Sequence, residues 1–446
     1  MRKLTTLALA LIFSFACAAI ASADSNTATQ YQVGESNTAT IDQSGGNSNV
    51  AVQGQGATTL DEFWAGGAYV TGNSAAITQT GDGNSATQMQ LGNNNDAAIF
   101  QFNGGNSAYQ EEIGNGNAAA IWQEGAQGAN AWSPYGAEQY QSGNGNYAGI
   151  YQTGAGNYGK QNQPGSGNGA YIAQNDSGNT AYQEQTGTNN SAEIWQYGTN
   201  PGNYGYLGAQ QYQSGNANRA VIGQTGSDNL ASQQQYGNNS LASLGQYGAG
   251  NIAFQYQWYG EGNTASISQE GNYNWAAQEQ SGNYNSASIA QYGDYNSAYQ
   301  NQVGDYGIAE IVQNGTLNSA GQYQGGSGNS ADIAQTGYSN SATQNQYGNA
   351  GFSSIAQDGI GNYANQNQSG SGNSADIAQS GESNYAMQEQ YGDAGIATIA
   401  QTGNSNSAYQ YQGWGYGNQA SITQSGIGNV ASQYQGGYYN TATIVQ

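Results

Sequence analysis

The stretch that decides the fold runs from Asn263 to Gln291 and reads NTASISQEGNYNWAAQEQSGNYNSASIAQ. It contains the motif Asn-x-Ala-x-(Ile or Gln)-x-Gln three times, and successive copies begin eleven residues apart. Within each copy the fixed residues occupy every second position, which is the period of a β-strand, whereas an α-helix would need spacings of three and four. Glycine-containing segments between the copies supply turns. The stretch therefore predicts short strands joined by tight turns.

The motif alternates between two forms, because its middle position holds Ile in one copy and Gln in the next. The full unit is thus about 22 residues long, and about 18 such units fill the chain from Asp24 to Gln446. Self-similarity at this period indicates a repeat architecture. If each strand pairs with its equivalent one unit later, the chain is an all-β fold. It is predicted to be a β-solenoid of stacked strand-turn-strand repeats with an in-register cross-β stack, as in amyloid.

In this arrangement the fixed residues point inward and the variable residues point outward. Each inward Asn or Gln would lie over its counterpart in the next unit, where its amide can both donate and accept hydrogen bonds, while Ala and Ile close the narrow interior. The clearest part of this predicted inward ladder consists of Asn263, Ala265, Ile267, Gln269, Asn274, Ala276, Gln278, Gln280, Asn285, Ala287, Ile289 and Gln291.

The composition alone would suggest a chain that cannot fold. Hydrophobic residues make up 36% and charged residues 7% of the sequence, which has 70 Gly. Low hydrophobicity normally indicates disorder, because too little apolar surface is buried to offset chain entropy. A hydrogen-bonded amide ladder in the interior removes this contradiction. The sequence has no His, so imidazole catalysis is excluded, and we expect neither an enzyme nor a cofactor.

The acidic residues follow the same assignment of faces. The residues predicted to point outward are Asp42, Asp96, Glu193, Glu310, Asp332 and Asp376. Those predicted to lie in turns are Asp82, Asp294, Asp305, Asp358, Glu382 and Asp393. Glu112 is the exception, because it occupies an inward Gln position. An ionised carboxylate would be costly there, so Glu112 is predicted to be protonated or to lie beside a local defect.

Residues 1–23 have the pattern of a secretory signal peptide. A short basic start precedes an apolar run that ends in Ala-x-Ala, which predicts cleavage between Ala23 and Asp24. The single Cys, Cys17, lies in this segment, and a lipoprotein signal is the alternative. Cleavage would take the formal net charge from −23 to −25 and leave Lys160 and Arg219 as the remaining cations. This charge argues against nucleic acid binding.

Four segments depart from the repeat within the domain predicted for residues 24–446, and they lie near 54–72, 126–136, 199–208 and 413–417. All fall between strands, so we expect bulged loops at the edge of the coil. The alternative is that the loops that contain Trp form a ligand site or a contact between fibres.

The two ends of the repeat region carry the functional hypothesis. Natural solenoids usually have atypical capping units, because an open end offers unpaired backbone groups to another strand. Here the repeat pattern runs to both ends, so each end is predicted to be a template for another copy. The residues predicted to form these polymerising ends are Asn26, Ala28, Gln30 and Gln32 at one end and Asn440, Ala442, Ile444 and Gln446 at the other.

Tandem Asn-x-Ala-x-Ile-x-Gln-x-Gly units behind a secretory signal resemble the curlin repeats of curli, the amyloid fibres of bacterial biofilm matrix. The resemblance covers nearly the whole chain after Asp24. It implies a secreted structural subunit that forms an extracellular cell-surface fibre, or fimbrium, and serves in biofilm matrix, adhesion and cell aggregation. The partners it implies are further copies of the chain, a nucleating minor subunit, an outer-membrane secretion pore and periplasmic chaperones. The final repeat is regular, which favours the major subunit.

One other function class remains open. A monomeric exported β-solenoid that acts as an adhesin or binds glycans would have the same repeat and the same signal. The missing caps argue against it, and self-assembly of the purified chain would distinguish the two classes.

Overall fold

The computed structural model describes residues 25–56, 69–127, 133, 135–201 and 208–446. The predicted signal peptide, its cleavage site at Ala23 and Asp24, and the central parts of three predicted loops (57–68, 128–132 and 202–207) lie outside the described residues. The described residues form strands, bends and turns. None of them belongs to a helix with the length and hydrophobicity that a membrane span requires.

The strands that carry two inward Gln residues form one parallel sheet of 18 strands, which we call the Gln sheet. Its strands are β1 (Thr27–Gln32), β4 (Val50–Gln55), β7 (Ser85–Leu91), β9 (Ser107–Asn115), β11 (Ala137–Asn144), β13 (Tyr158–Ser166), β15 (Thr180–Thr188), β17 (Ala209–Asn216), β19 (Leu230–Gln235), β21 (Ile252–Trp258), β23 (Trp275–Ser281), β25 (Ser297–Val303), β27 (Ser319–Gly325), β29 (Ser341–Gln346), β31 (Tyr363–Gln368), β33 (Tyr385–Gln390), β35 (Ser407–Tyr416) and β37 (Val430–Tyr438).

The strands with an inward Ile or Leu form a second parallel sheet, which we call the Ile sheet. Its strands are β3 (Thr38–Asp42), β6 (Ser74–Gln79), β8 (Asp96–Phe102), β10 (Ala118–Ala126), β12 (Tyr147–Ala155), β14 (Gly169–Asn175), β16 (Ser191–Thr199), β18 (Arg219–Ser227), β20 (Leu241–Ala249), β22 (Thr264–Glu270), β24 (Ser286–Asp294), β26 (Ile308–Thr316), β28 (Ser330–Tyr338), β30 (Phe352–Ile360), β32 (Ser374–Glu382), β34 (Ile396–Asn404), β36 (Gln419–Ile427) and β38 (Thr441–Val445). A short pair, β2 (Gly34–Glu35) and β5 (Val70–Thr71), lies apart from both sheets.

Each strand pairs in parallel with the equivalent strand of the neighbouring turns. Ile289 of β24 pairs with Ile311 of β26, and Gln278 of β23 pairs with Gln300 of β25. The chain therefore winds from the Ile sheet to the Gln sheet and back, advancing one strand in each sheet per turn. This confirms the predicted β-solenoid of about 18 turns, roughly 22 residues apart.

The hydrophobic core is one narrow column between the two sheets. The Ile sheet contributes one Ile or Leu per turn, fully buried except for Ile41 and Ile444 in the end turns, and the Gln sheet contributes small Ala residues opposite it. Ala at these positions lets the sheets approach closely, so a single Ile side chain fills the gap. The core is thus continuous along the whole stack although the chain is poor in hydrophobic residues.

The bends of the Ile sheet differ from the sequence prediction. Asp294, Asp358 and Glu382 were expected in turns, but they lie inside strands β24, β30 and β32. The reason is Gly293 and its equivalents: φ at Gly293 is 106°, so the chain bends there while its backbone stays paired with Gly315. A Cβ atom at Gly293 would lie 2.1 Å from the carbonyl oxygen of Gly315, so only glycine fits.

The segment at 413–417, predicted to be a bulged loop between strands, is instead a bulge at the end of strand β35. The pairing of β35 with β37 shifts register between Gln412 and Gly415 and then resumes at Tyr416 and Tyr438. Trp414 lies in this bulge and is exposed.

Candidate assembly surface

The interior Gln side chains form continuous hydrogen-bonded ladders along the stack. The Nε2 atom of Gln278 donates to Oε1 of Gln300 at 2.8 Å, and Oε1 of Gln278 accepts from Nε2 of Gln255 at 3.0 Å. The second N–H of Gln278 crosses the interior to the carbonyl oxygen of Ser266 in the Ile sheet, at 2.9 Å. The amide thus joins its own turn to both neighbours and one sheet to the other.

The Ile sheet reaches across the interior in the same way. The Nε2 atom of Gln291 donates to Oε1 of Gln313 at 2.9 Å and to the carbonyl oxygen of Trp275 at 3.0 Å. A buried amide without partners would be costly, whereas a satisfied network in a low-dielectric interior is stable and fixes one register. The polar interior is therefore compatible with folding because its amides bind one another.

The inward Asn residues lie beside the bends of the coil and hydrogen-bond to backbone groups there. The Oδ1 atom of Asn274 accepts the backbone N–H of Asn296 at 2.9 Å, and its Nδ2 atom donates to the carbonyl oxygen of Gly293 at 2.7 Å. The sequence predicts an amide-to-amide ladder at these positions, but the main contacts of Asn274 are with the backbone of the next turn. This difference arises because the shorter Asn side chain lies beside the bend, where backbone groups would otherwise lack partners.

The structure places all twelve residues of the predicted inward ladder in the interior, each at most 2% exposed. The residues at the two ends of the stack are placed differently. Gln30 and Gln32 of β1 are exposed, and Ile444 of β38 is only half-buried, because no further turn covers them in the part of the chain that the structure describes.

The Gln ladders have a direction. In each step between two Gln residues Nε2 donates toward the C-terminal turn, as from Gln30 to Gln53 at 3.0 Å and from Gln410 to Gln433 at 2.9 Å. Gln433 in β37, the last strand of the Gln sheet, therefore has a buried Nε2 donor without a partner. At the opposite end, Oε1 of Gln30 accepts from none of the described residues. One end presents free amide donors and the other presents free amide acceptors.

Comparison with known families agrees with the repeat and its geometry. The family model of the curlin associated repeat matches residues 71–102, 212–237, 237–271, 260–293 and 370–403. The chain thus contains curlin associated repeats. The curlin-type turns outside the matched segments have the same parallel register, as in the pairing of β25 with β27 and of β26 with β28. No curated protein matches the chain. The repeat family and the β-solenoid are those of a structural protein.

Glu112 interrupts one Gln ladder of this curlin-repeat stack. It pairs in register with Gln90 on one side and Gln141 on the other, and Nε2 of Gln90 donates to its Oε2 at 2.9 Å. The Oε1 atoms of Glu112 and Gln141 are both buried without a partner. Burial raises the pKa of the Glu112 carboxyl to about 9, the hydrogen bond from Gln90 opposes this rise, and the charge of Asp96 adds to it. A protonated Glu112 can donate to Gln141, which an ionised carboxylate cannot.

The outer faces carry the charges. Lys160 lies 3.1 Å from Glu138 of the preceding turn, and the Arg219 guanidinium lies 4.0 Å from Glu193. Both cations are thus paired with carboxylates, and no other ion pair occurs in the part of the chain that the structure describes. No cluster of three or more Asp, Glu, Cys or His side chains suited to a metal ion occurs among the described residues.

Proposed function

We propose that this chain is a structural subunit of a curli-type extracellular amyloid fibre that grows end to end. The observation that carries the proposal is the direction of the Gln ladders. The donor of Gln433 at one end and the acceptor of Gln30 at the other are the two halves of one contact. The same contact joins each interior pair of turns at 2.7–3.0 Å. A second copy placed on the stack would complete both.

The backbone supports the same head-to-tail contact. Among the described residues, β1 and β3 each pair with the following turn, and β37 and β38 each pair with the preceding turn. Each end turn therefore has one open edge in each sheet, and open parallel edges are templates for another chain. Growth would repeat between molecules the register that exists within the molecule.

The end-to-end contact can be tested with one substitution and a matched control. Ile444→Asp would place a charge in the joint between copies, while Ile444 is only half-buried in the single chain. Thr443→Asp puts the same charge on the opposite, exposed face of the same strand. We expect Ile444→Asp to slow seeded elongation, followed by amyloid-dye fluorescence, by at least about tenfold, and Thr443→Asp to leave it near wild type.

The direction of growth gives a sharper outcome. An Ile444→Asp chain keeps a normal Gln30 end, so it can add to the open end of a wild-type fibre and then block further growth there. A small fraction of this variant should therefore stop wild-type elongation at one end. If Ile444→Asp elongates as fast as wild type, the proposed joint is wrong. If the wild-type chain stays folded and monomeric, the function would instead be that of a monomeric adhesin.

The acidic outer surface is proposed to restrain assembly. Asp332 pairs in register with Glu310 of the preceding turn, and burial together with the charge of Glu310 raises the pKa of the Asp332 carboxyl. Because this pKa is raised in the stack, the stack loses stability as pH rises through it. We expect faster assembly at acidic pH or raised salt, measured as the lag time of fibre formation. Equal lag times in all conditions would contradict this restraint.

The remaining expectations from the family likeness belong to the same proposal. These are secretion after signal cleavage between Ala23 and Asp24, passage through an outer-membrane pore with periplasmic chaperones, nucleation by a minor subunit, and a role in biofilm matrix and adhesion. Fractionation of producing cells, with detection of the chain on the outer surface, tests the localisation. Retention in the cytoplasm would contradict it.

A further inference from the structure

Several tyrosines have a left-handed backbone conformation, and four of them lie in consecutive bends of the coil. The φ angles of Tyr273, Tyr284, Tyr295 and Tyr306 are 56°, 55°, 58° and 58°. Most other non-glycine residues with a positive φ are Asn, Asp, Ser or Ala, for example Ser383 with a φ of 54°. A bulky aromatic residue is rarely found in this region of φ, and strain that is kept in a structure points to something gained from the side chain. The reading of the repeat from the sequence missed these residues, although an Asn or Asp precedes each of them.

The four rings form two stacked pairs on opposite edges of the solenoid. The ring centroids of Tyr273 and Tyr295 lie 5.2 Å apart with planes 14° from parallel. Those of Tyr284 and Tyr306 lie 5.5 Å apart with planes 11° from parallel. The first pair lies where the chain passes from the Ile sheet to the Gln sheet, and the second where it returns. Each pair therefore spans two neighbouring turns.

The surroundings hold the rings in place but leave them accessible. A Cβ atom on Gly250 would lie 2.6 Å from a ring carbon of Tyr273, and one on Gly262 would lie 2.6 Å from a ring carbon of Tyr284, so each first ring packs against a glycine of the preceding turn. The second ring of each pair stacks on the first. All four side chains are about half exposed. Small oxidants can therefore reach the rings, while the partner ring stays adjacent.

We infer that Tyr273–Tyr295 and Tyr284–Tyr306 are sites of oxidative coupling that join neighbouring turns through dityrosine. The oxidant is a peroxidase with hydrogen peroxide, or a one-electron oxidant of equal power. Each phenol loses one electron and one proton to give a tyrosyl radical, and hydrogen peroxide takes up both electrons and both protons to become two water molecules. The two radicals form a carbon–carbon bond between ring positions ortho to the hydroxyls. Each ring then moves its ortho hydrogen, as a proton, back to the phenol oxygen.

The solenoid favours this reaction over coupling between molecules. The partner ring is held one turn away by paired strands, so the second radical forms beside the first and its effective concentration is high. The product links one turn to the next on each edge of the coil. At these two places, neighbouring turns are then joined by a covalent bond in addition to their hydrogen bonds.

A third stacked pair serves as an internal reference. Tyr363 and Tyr385 lie opposite each other on the outer face of the Gln sheet, with ring centroids 5.0 Å apart and planes 6° from parallel. The same chemistry is expected there. Tyr338 is similarly exposed and has no aromatic ring contact among the described residues, so it provides the matched control.

The experiment treats the folded full-length chain with peroxidase and limiting hydrogen peroxide, then maps cross-linked peptides by mass spectrometry and follows dityrosine fluorescence. We expect peptides that join Tyr273 to Tyr295 and Tyr284 to Tyr306, each lighter by two hydrogen atoms, in a yield that does not change with protein concentration. Tyr273→Phe should remove the first link, Tyr284→Phe the second, and the double variant should keep the Tyr363–Tyr385 link. Tyr338→Phe should remove none.

Three results would overturn the inference. One is the absence of both edge links while Tyr363–Tyr385 couples. Another is coupling in which Tyr338 takes part as often as the stacked pairs. The third is edge links that form equally well in the chain unfolded by denaturant, because the solenoid would then play no part.

Discussion

An interior turn and the last turn of the stack follow the same repeat, but the inward Gln of the last turn makes fewer hydrogen bonds. Gln278 makes three hydrogen bonds, to Gln255, Gln300 and Ser266, and is fully buried. Gln433, its equivalent near the end, accepts from Gln410 and has an unpaired donor. The difference shows that the free amide donor of each turn finds its acceptor in the next turn. The open end is therefore the surface at which we propose that another copy binds.

The largest expected effect is a charge in an interior turn. Ile289→Asp replaces a fully buried Ile with a carboxylate that has no cationic partner in the core. We expect a loss of at least about 4 kcal/mol in the free energy of unfolding, or no folding, measured by denaturant titration. Ser288→Asp, on the outer face of the same strand, should change it by less than about 0.5 kcal/mol. Similar effects of both variants would contradict the assignment of faces.

Removing an interior amide is expected to have the next largest effect. Gln278→Ala eliminates three hydrogen bonds and leaves the Nε2 donor of Gln255 buried without its acceptor. We expect a loss of about 3 kcal/mol in the free energy of unfolding. Glu279→Ala on the outer face of β23 is the matched control and should cost less than about 0.5 kcal/mol. A cost below that of the control would show that the ladder adds nothing to stability.

Glu112 tests whether an unpaired amide in an interior turn lowers the free energy of unfolding. Glu112→Gln would restore the donor that Gln141 lacks, and we expect a gain of about 2 kcal/mol at neutral pH. In the wild type, the folded chain keeps the proton up to a pKa of about 9, while the unfolded chain loses it near 4.5. The free energy of unfolding should therefore fall with rising pH across that window, by up to about 1.4 kcal/mol per unit.

The pH dependence provides the control for this variant. In Glu112→Gln the fall between the two pKa values should disappear, because no proton is released there. Denaturant titrations of both chains at several pH values measure it. Parallel curves for the two chains would mean that Glu112 is ionised in the fold.

The smallest effect is expected at the end of the stack. Gln433→Ala removes one hydrogen bond and one unpaired donor, so the single chain should lose only about 1 kcal/mol in the free energy of unfolding. The same variant should slow fibre elongation clearly, because the lost donor belongs to the proposed joint between copies. If Gln433→Ala costs the single chain as much as Gln278→Ala, the end turn is not the open turn that the structure describes.

The sequence by itself determined the strand period, the inward residues and the stacking of unlike halves. Asn, Ala, Ile and Gln recur at every second position, and a period of two can place them on one face only of a strand. The polar interior also follows, because Asn and Gln on that face must bind one another to be buried. Likewise, Glu112 could be identified as an anomaly from its position alone.

Only the tertiary structure decided how the turns are joined. Strand β24 continues through Gly293 because the backbone at this bend stays paired with the next turn, which no local pattern encodes. The direction of the amide ladder, the facing acceptors of Glu112 and Gln141, and the stacked rings of Tyr273 and Tyr295 depend on contacts between residues about 22 or more positions apart. A repeat fixes which side chains share a face, whereas the parallel register fixes what each one touches.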